Sequence, residues 1–201
     1  MSLYVILLII YLIVLLFNNK RYYIWYPSIN TYMLGYGIPY PDNSIEIQTI
    51  LNDYIFKKTQ KDIDFFFFSD ISIVPAFQTI IPETQFKKKD IQKMLFSIKI
   101  SKQIYIYKRI YNRARPQQVA PNLINIEKGT LLPSKTAFTP AYPSGHAFQS
   151  YYLARMLSIR FPDKKEKLIQ MARRISDIRI IAGLHFPSDR DFAWWLVDRM
   201  F

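Results

Sequence analysis

Along most of this chain apolar residues recur every three to four positions, the period of a helix with one buried face. Residues 45–58 carry Ile47, Ile50, Leu51, Tyr54 and Ile55 on one stripe, with Ser44 as the expected N-cap. Residues 62–81 hold four consecutive phenylalanines at 65–68, read as core, and predict a helix that ends or kinks near Pro75. The longest periodic stretch is 87–112, with Ile91, Met94, Leu95 and Ile98 at core spacing; Pro116 prevents its continuation. A helix over 146–160 stops before Pro162. Another over 164–181 places Leu168, Met171, Ile175 and Ile178 on one face, and Asp189 precedes a last one that ends at Phe201. Residues 117–140, with Pro121, Gly129, Pro133 and Pro140, show little periodicity. A loop of that length in a compact domain is commonly functional, so it is expected to frame or cover a site. No stretch sustains a period of two, and the expected fold is an all-α helical bundle.

Residues 3–17 break the pattern, because thirteen of these fifteen are Leu, Ile, Val or Phe and none is charged. With no polar face, the run reads as a single N-terminal transmembrane helix rather than an interfacial one. Tyr22, Tyr23, Trp25 and Tyr26 suit an interfacial aromatic belt. No basic residue precedes the run and no A-x-A-like site follows, so an uncleaved anchor is expected. Lys20 and Arg21 follow directly, and the positive-inside rule puts the remainder of the chain on the cytoplasmic side. The expected organisation is an anchor over 1–21, a Pro- and Gly-bearing linker or wrapping segment over 22–44, and one catalytic domain over 45–201.

Half of the 201 residues are hydrophobic, enough for a full core, and the absence of Cys excludes a disulfide framework and a Cys-ligated metal. The net charge of +12 calls for an anionic partner. The basic residues are spread along helices without a nucleic-acid-binding motif, so nucleic acid is not expected.

The candidate chemistry lies in three segments, K-R-I-Y-N-R-A-R-P at 108–116, P-S-G-H at 143–146 and R-I-I-A-G-L-H-F-P-S-D at 179–189. Pro143-Ser144-Gly145 reads as a tight turn in which Gly tolerates a positive φ, with Ser144 at a helix N-terminus suited to an anion. Lys108 and Arg115 are two helical turns apart and are expected on one face. Both histidines of the chain, His146 and His185, fall inside these segments. Three cations, a capping hydroxyl, two imidazoles and a carboxylate suit phosphoryl transfer, with one His attacking and one protonating the leaving group. Arg109, Arg113, Arg173 and Arg174 have no motif position and read as surface residues.

The pattern K-x6-R-P, P-S-G-H, R-x5-H-x3-D resembles the type 2 phosphatidic acid phosphatase superfamily, which includes nonspecific acid phosphatases and vanadium haloperoxidases. With only the N-terminal run able to span a membrane, the catalytic domain resembles the acid phosphatases more. One departure is Ile178, where Ser commonly precedes the third-motif Arg. The resemblance implies His185 as nucleophile, Asp189 as its hydrogen-bond partner and His146 as general acid. It also implies that Lys108, Arg115, Ser144, Gly145 and Arg179 bind the phosphate. No metal or other cofactor is implied. The expected activity is hydrolysis of phosphate monoesters, lipid or soluble, through a phosphohistidine. A vanadium-dependent haloperoxidase with vanadate on His185, or a non-catalytic membrane scaffold, are the alternatives.

Overall fold

Helices carry the chain because each stripe of apolar residues finds another helix to cover it. The computed structural model describes Val5–Ile6 and residues 40–95 and 98–200. All of the expected anchor except Val5–Ile6 therefore lies outside the described residues, as does most of the linker. No helix among the described residues is long and apolar enough to cross a membrane. No strand occurs among them either, in line with the all-α expectation.

The elements run α1 (Asn43–Ile50), α2 (Gln60–Asp70), α3 (Val74–Gln78), α4 (Lys88–Leu95), α5 (Ile98–Tyr111), α6 (Pro116–Val119), α7 (Gly145–Arg160), α8 (Lys165–Ile181) and α9 (Pro187–Asp198). Several boundaries differ from the periodicity reading, each for a local reason. The cap of α1 is Asp42, not Ser44; its carboxylate accepts the Ser44 N–H at 2.7 Å. A π-turn over Leu51–Ile55 extends α1, keeping Leu51 and Ile55 buried. Thr59 and Asp62 form a reciprocal capping box that starts α2 two residues early. Pro75 opens α3, because its missing N–H costs nothing in a first turn. Pro187 likewise starts α9, so Asp189 lies within its first turn.

Four successive residues sweep most of the way round a helix. Hence Phe65 and Phe66 are buried, whereas Phe67 and Phe68 are 53% and 47% exposed. The core reading of the aromatic run holds for half of it.

The principal core joins α2, α3, α7 and α8 through Phe66, Phe77, Leu153, Leu157, Leu168 and Ile175. The connection between α7 and α8 is a single short turn around Pro162–Lys164, so these helices pack closely as neighbours. A second, aromatic core links α5, α7 and α9, with Tyr142 and Phe192 stacked at 4.5 Å. A third holds α1 against the loop and the chain after α8 through Ile47, Ile50, Ile124, Ile180 and Phe186. The three cores surround the segments that carry the motifs.

Candidate active site

The end of α8 sets the position of His185. Gly183 has φ +75°, and its N–H and that of Leu184 bond back to Ile180 O (2.9 Å) and Arg179 O (3.1 Å). These paired bonds close the helix and turn the chain. A Cβ on Gly183 would lie 2.6 Å from Thr130 O, so no other residue fits. The turned chain places His185, only 3% exposed, beside the first turn of α9.

Asp189 Oδ2 accepts the Phe186 N–H and the His185 Nδ1–H, each at 2.9 Å. A carboxylate can only accept, so the imidazole proton lies on Nδ1 and the lone pair on Nε2. Nε2 faces Arg115 Nη1 at 3.2 Å. Burial, then Arg115 and Lys108, pushes the His185 pKa well below its ordinary value. The imidazole is thus neutral, with its Nε2 lone pair turned toward Arg115.

Lys108, Arg115 and Arg179 are 5%, 4% and 1% exposed. Lys108 donates to Pro140 O. Arg115 donates to Thr139 O at 2.9 Å and Leu184 O at 2.8 Å. The loop before α7 therefore frames the site, as its length implied, by supplying carbonyl oxygens to the cations. Lys108 and Arg115 do not share one helix face. α5 ends at Tyr111, Asn112 takes a left-handed φ of 44°, and Arg115 caps α6 instead. Burial and then Arg179 bring Arg115 down to about 10, and burial with Arg115 moves Lys108 well down.

Arg179 donates to Asp70 Oδ1 at 2.6 Å and to Ser134 Oγ and Thr136 Oγ1 at 3.1 and 3.3 Å. Its Nε is buried without a hydrogen-bond partner. Ile178 is packed in the main core and offers no hydrogen bond where the resemblance expects a Ser.

The P-S-G-H segment is tied to His185 through Ser144 N–H, which donates to Asp189 O at 3.0 Å. Ser144 caps α7, its Oγ accepting the Ala147 N–H at 3.4 Å. Gly145 does not need the positive φ expected of it, since it is the first residue of α7. A Cβ there would meet nothing within 4 Å, so open space lies in front of the helix terminus. His146 Nε2 donates to Asp70 O at 2.8 Å, which puts the lone pair of the neutral ring on Nδ1. Burial, then Arg179, lowers His146 to about 3, partly opposed by the Asp70 carbonyl.

The structure thus brings together all eight residues proposed from the sequence. It adds three that were missed. Arg113, expected at the surface, is 1% exposed and donates to Asp189 Oδ1 at 2.7 Å. Glu46 pairs with Arg113, and Asp70 holds both Arg179 and His146. Nothing in local spacing marks them, because their partners lie far along the chain. Arg173 and Arg174 are exposed, as expected. Among the described residues no group of three or more His, Cys, Asp or Glu side chains is placed to hold a metal ion.

Four buried basic side chains here accompany three buried carboxylates, an excess of positive charge beside the neutral His185 imidazole. That arrangement stabilises an oxyanion. No curated protein matches the chain. A model of the PAP2 superfamily matches residues 92–196, just over half the chain and all three motifs. The chain belongs to the PAP2 superfamily, whose members are generally hydrolytic phosphatases.

Proposed function

We propose that this protein hydrolyses phosphate monoesters through a phosphohistidine on His185, without a metal ion. The carrying observation is the His185 tautomer, with Nδ1 held by Asp189 and the Nε2 lone pair facing Arg115. Nε2 attacks phosphorus as the bond to the leaving oxygen breaks, and that oxygen takes a proton from His146 Nδ1. Asp189 stabilises the positive imidazole of the intermediate. Water then attacks phosphorus, giving its proton to His146. The N–P bond breaks, and orthophosphate leaves. Lys108, Arg115, the unpartnered Nε of Arg179 and the free N–H groups at the start of α7 bind the phosphoryl oxygens.

The two low histidine pKa values favour work at acid pH. His185 stays unprotonated, whereas His146 lacks its proton in the free protein. A phosphate monoanion, whose second pKa is about 6, brings that proton with it. The soluble acid phosphatases of the superfamily are on this account the nearer comparison. The N-terminal run would anchor the domain to a membrane with its site on the cytoplasmic side, which keeps lipid phosphates among the substrates.

Rapid-quench trapping with labelled phosphate ester tests the chemistry. Wild type and His146→Ala should yield acid-labile phosphoenzyme from p-nitrophenyl phosphate, and His185→Ala none. Label that accumulates without His185 refutes the assignment. Fractionation tests the anchor: the full chain should resist salt extraction from membranes, and release by salt would refute it. Assay of the detergent-solubilised chain against lipid and soluble esters separates the two substrate classes.

A further inference from the structure

We infer that Arg113 and Glu46 are positioning residues for the His185–Asp189 pair, supplied by α1 and the α5–α6 turn. The inference rests on the reading of His185 as the nucleophile. Glu46 lies outside the segment that the family model matches, which starts at residue 92.

Asn112 turns the chain so that Arg113 enters the protein between the Phe186 and Tyr40 rings, 3.9 and 4.3 Å from the guanidinium carbon. All five of its N–H groups are used. Nε and one Nη2 proton go to Asn43 Oδ1 at 3.0 and 2.9 Å, and the other Nη2 proton to Glu46 Oε2 at 2.6 Å. Nη1 donates to Ser188 Oγ and Asp189 Oδ1, both at 2.7 Å. Glu46 then closes the network. Its Oε1 accepts the Ser188 N–H at 3.0 Å and its Oε2 the Ser188 hydroxyl at 2.6 Å.

Two consequences reach His185. Nη1 bonds Oδ1 while every other N–H of the guanidinium is engaged elsewhere, so the Asp189 carboxylate is held against rotation and Oδ2 stays on Nδ1. The second consequence is electrostatic. Arg113 alone would draw charge from Asp189 and weaken its support for the imidazolium that forms when Nε2 bonds phosphorus. Glu46, on the far side of the guanidinium, offsets that pull. Once the imidazolium forms, the order Glu46, Arg113, Asp189, His185 alternates in sign through a buried path, where such interactions are strong.

The test uses the full chain in detergent, labelled with ¹⁵N-imidazole. There are only two histidines, and a His146→Gln variant assigns them. Wild type should show His185 as a single Nδ1–H tautomer. In Glu46→Gln the His185 signals should move toward a tautomer mixture. With p-nitrophenyl phosphate, kcat should fall about tenfold or more, the usual scale for an outer hydrogen-bond partner, while KM changes by less than about threefold. In an Asp189→Asn background the same change should cost nothing further. Arg113→Lys, which keeps the charge and loses the fork, should move the tautomer in the same direction. Ser188→Ala alters no charge and gives a milder variant should those two fold poorly. An unchanged His185 tautomer in the folded variants, or a Glu46→Gln loss that persists without Asp189, would overturn the inference. Tautomer changes as expected in a protein that hydrolyses no phosphate ester would instead remove the phosphatase reading and leave the positioning role standing.

Discussion

Asp70→Asn is the most informative single change, because Asp70 holds two functional groups by different atoms. Its Oδ1 accepts Arg179 Nη1 and Ser134 Oγ, each at 2.6 Å, and its Oδ2 accepts the Lys135 N–H at 2.8 Å. Its main-chain oxygen accepts from His146. Asn has nearly the same shape but must point an NH₂ at one of these donors. Both partners of the ion pair are buried, Asp70 at 3% and Arg179 at 1% exposure. Removing one charge from a buried pair leaves the other uncompensated, at a cost of about 3–5 kcal/mol. For a chain of this length that is a fall in Tm of roughly 6–20 °C at pH 7. A Tm within about 2 °C of wild type would refute the buried pair.

The same substitution makes an opposite prediction for anion binding. Without Asp70, Arg179 has a full charge to offer, so orthovanadate or phosphate should raise the Tm of the variant more than that of wild type. A ligand at 100 times its Kd adds about 2.7 kcal/mol, which scanning calorimetry resolves easily. Equal stabilisation of both proteins would show that Asp70 does not compete for Arg179. The pH dependence has a fixed sign. Burial raises the Asp70 pKa, but the Ser134 hydrogen bond and Arg179 outweigh it and hold the group at about 2, below its ordinary 3.8. The contribution of the ionised form is therefore complete above pH ~4 and lost as pH falls toward 2. After allowance for screening it is about 1–2 kcal/mol. Denaturant titrations of wild type and Asp70→Asn should draw closer by about that amount over that window.

Gly145→Ala should leave Tm unchanged or slightly higher, since the added methyl meets nothing, yet raise KM about tenfold by occupying the space at the helix terminus; steady-state kinetics beside a melt checks both. Gly183→Ala should lower Tm by several degrees, because a Cβ would lie 2.6 Å from Thr130 O at a positive φ. His146→Ala should lower kcat by roughly 10²–10⁴-fold on alkyl phosphates and far less on p-nitrophenyl phosphate, whose leaving group needs little protonation. Activity should survive EDTA, and loss on chelation with recovery on adding Mg²⁺ or Zn²⁺ would contradict a metal-free mechanism.

What could be read from the residues was what depends on neighbours in the chain. The stripe Leu168, Ile175 and Ile178 recurs at helical spacing and is buried in α8. Likewise His185 and Asp189 are four apart, and one turn of chain brings them together. The sequence offered no handle on contacts closed over long loops. Asp70 and Arg179 are 109 residues apart, and Glu46 and Arg113 are 67 apart. An Arg is most often a surface residue, and only its partner reveals otherwise. The kink at Asn112 was equally hidden. Periodicity runs through it, but a single left-handed residue ends α5 and separates Lys108 from the face expected to carry Arg115.

The four buried cations divide into two kinds by what accepts their hydrogen bonds. Arg113 and Arg179 meet carboxylates, Asp189 with Glu46 and Asp70 respectively. Their charge is largely compensated within the protein, although Arg179, unlike Arg113, keeps one donor, Nε, unpartnered. Lys108 and Arg115 meet no carboxylate: they donate to the main-chain oxygens of Pro140, Thr139 and Leu184, and Arg115 also faces the neutral His185 Nε2. A carbonyl dipole orients a cation without neutralising it, so the unspent positive charge of the site sits on these two. They are also, after burial, the first causes of the lowered His185 pKa. A phosphate dianion arriving there would reverse the sign of the local field. It would raise the pKa of Lys108, His185 and His146 together, since each is lowered by burial and, after it, by neighbouring cations, Arg115 among them in every case. On the proposed mechanism, substrate binding and the protonation of His146 are linked, so that the acid needed for the leaving group would form as the phosphate binds.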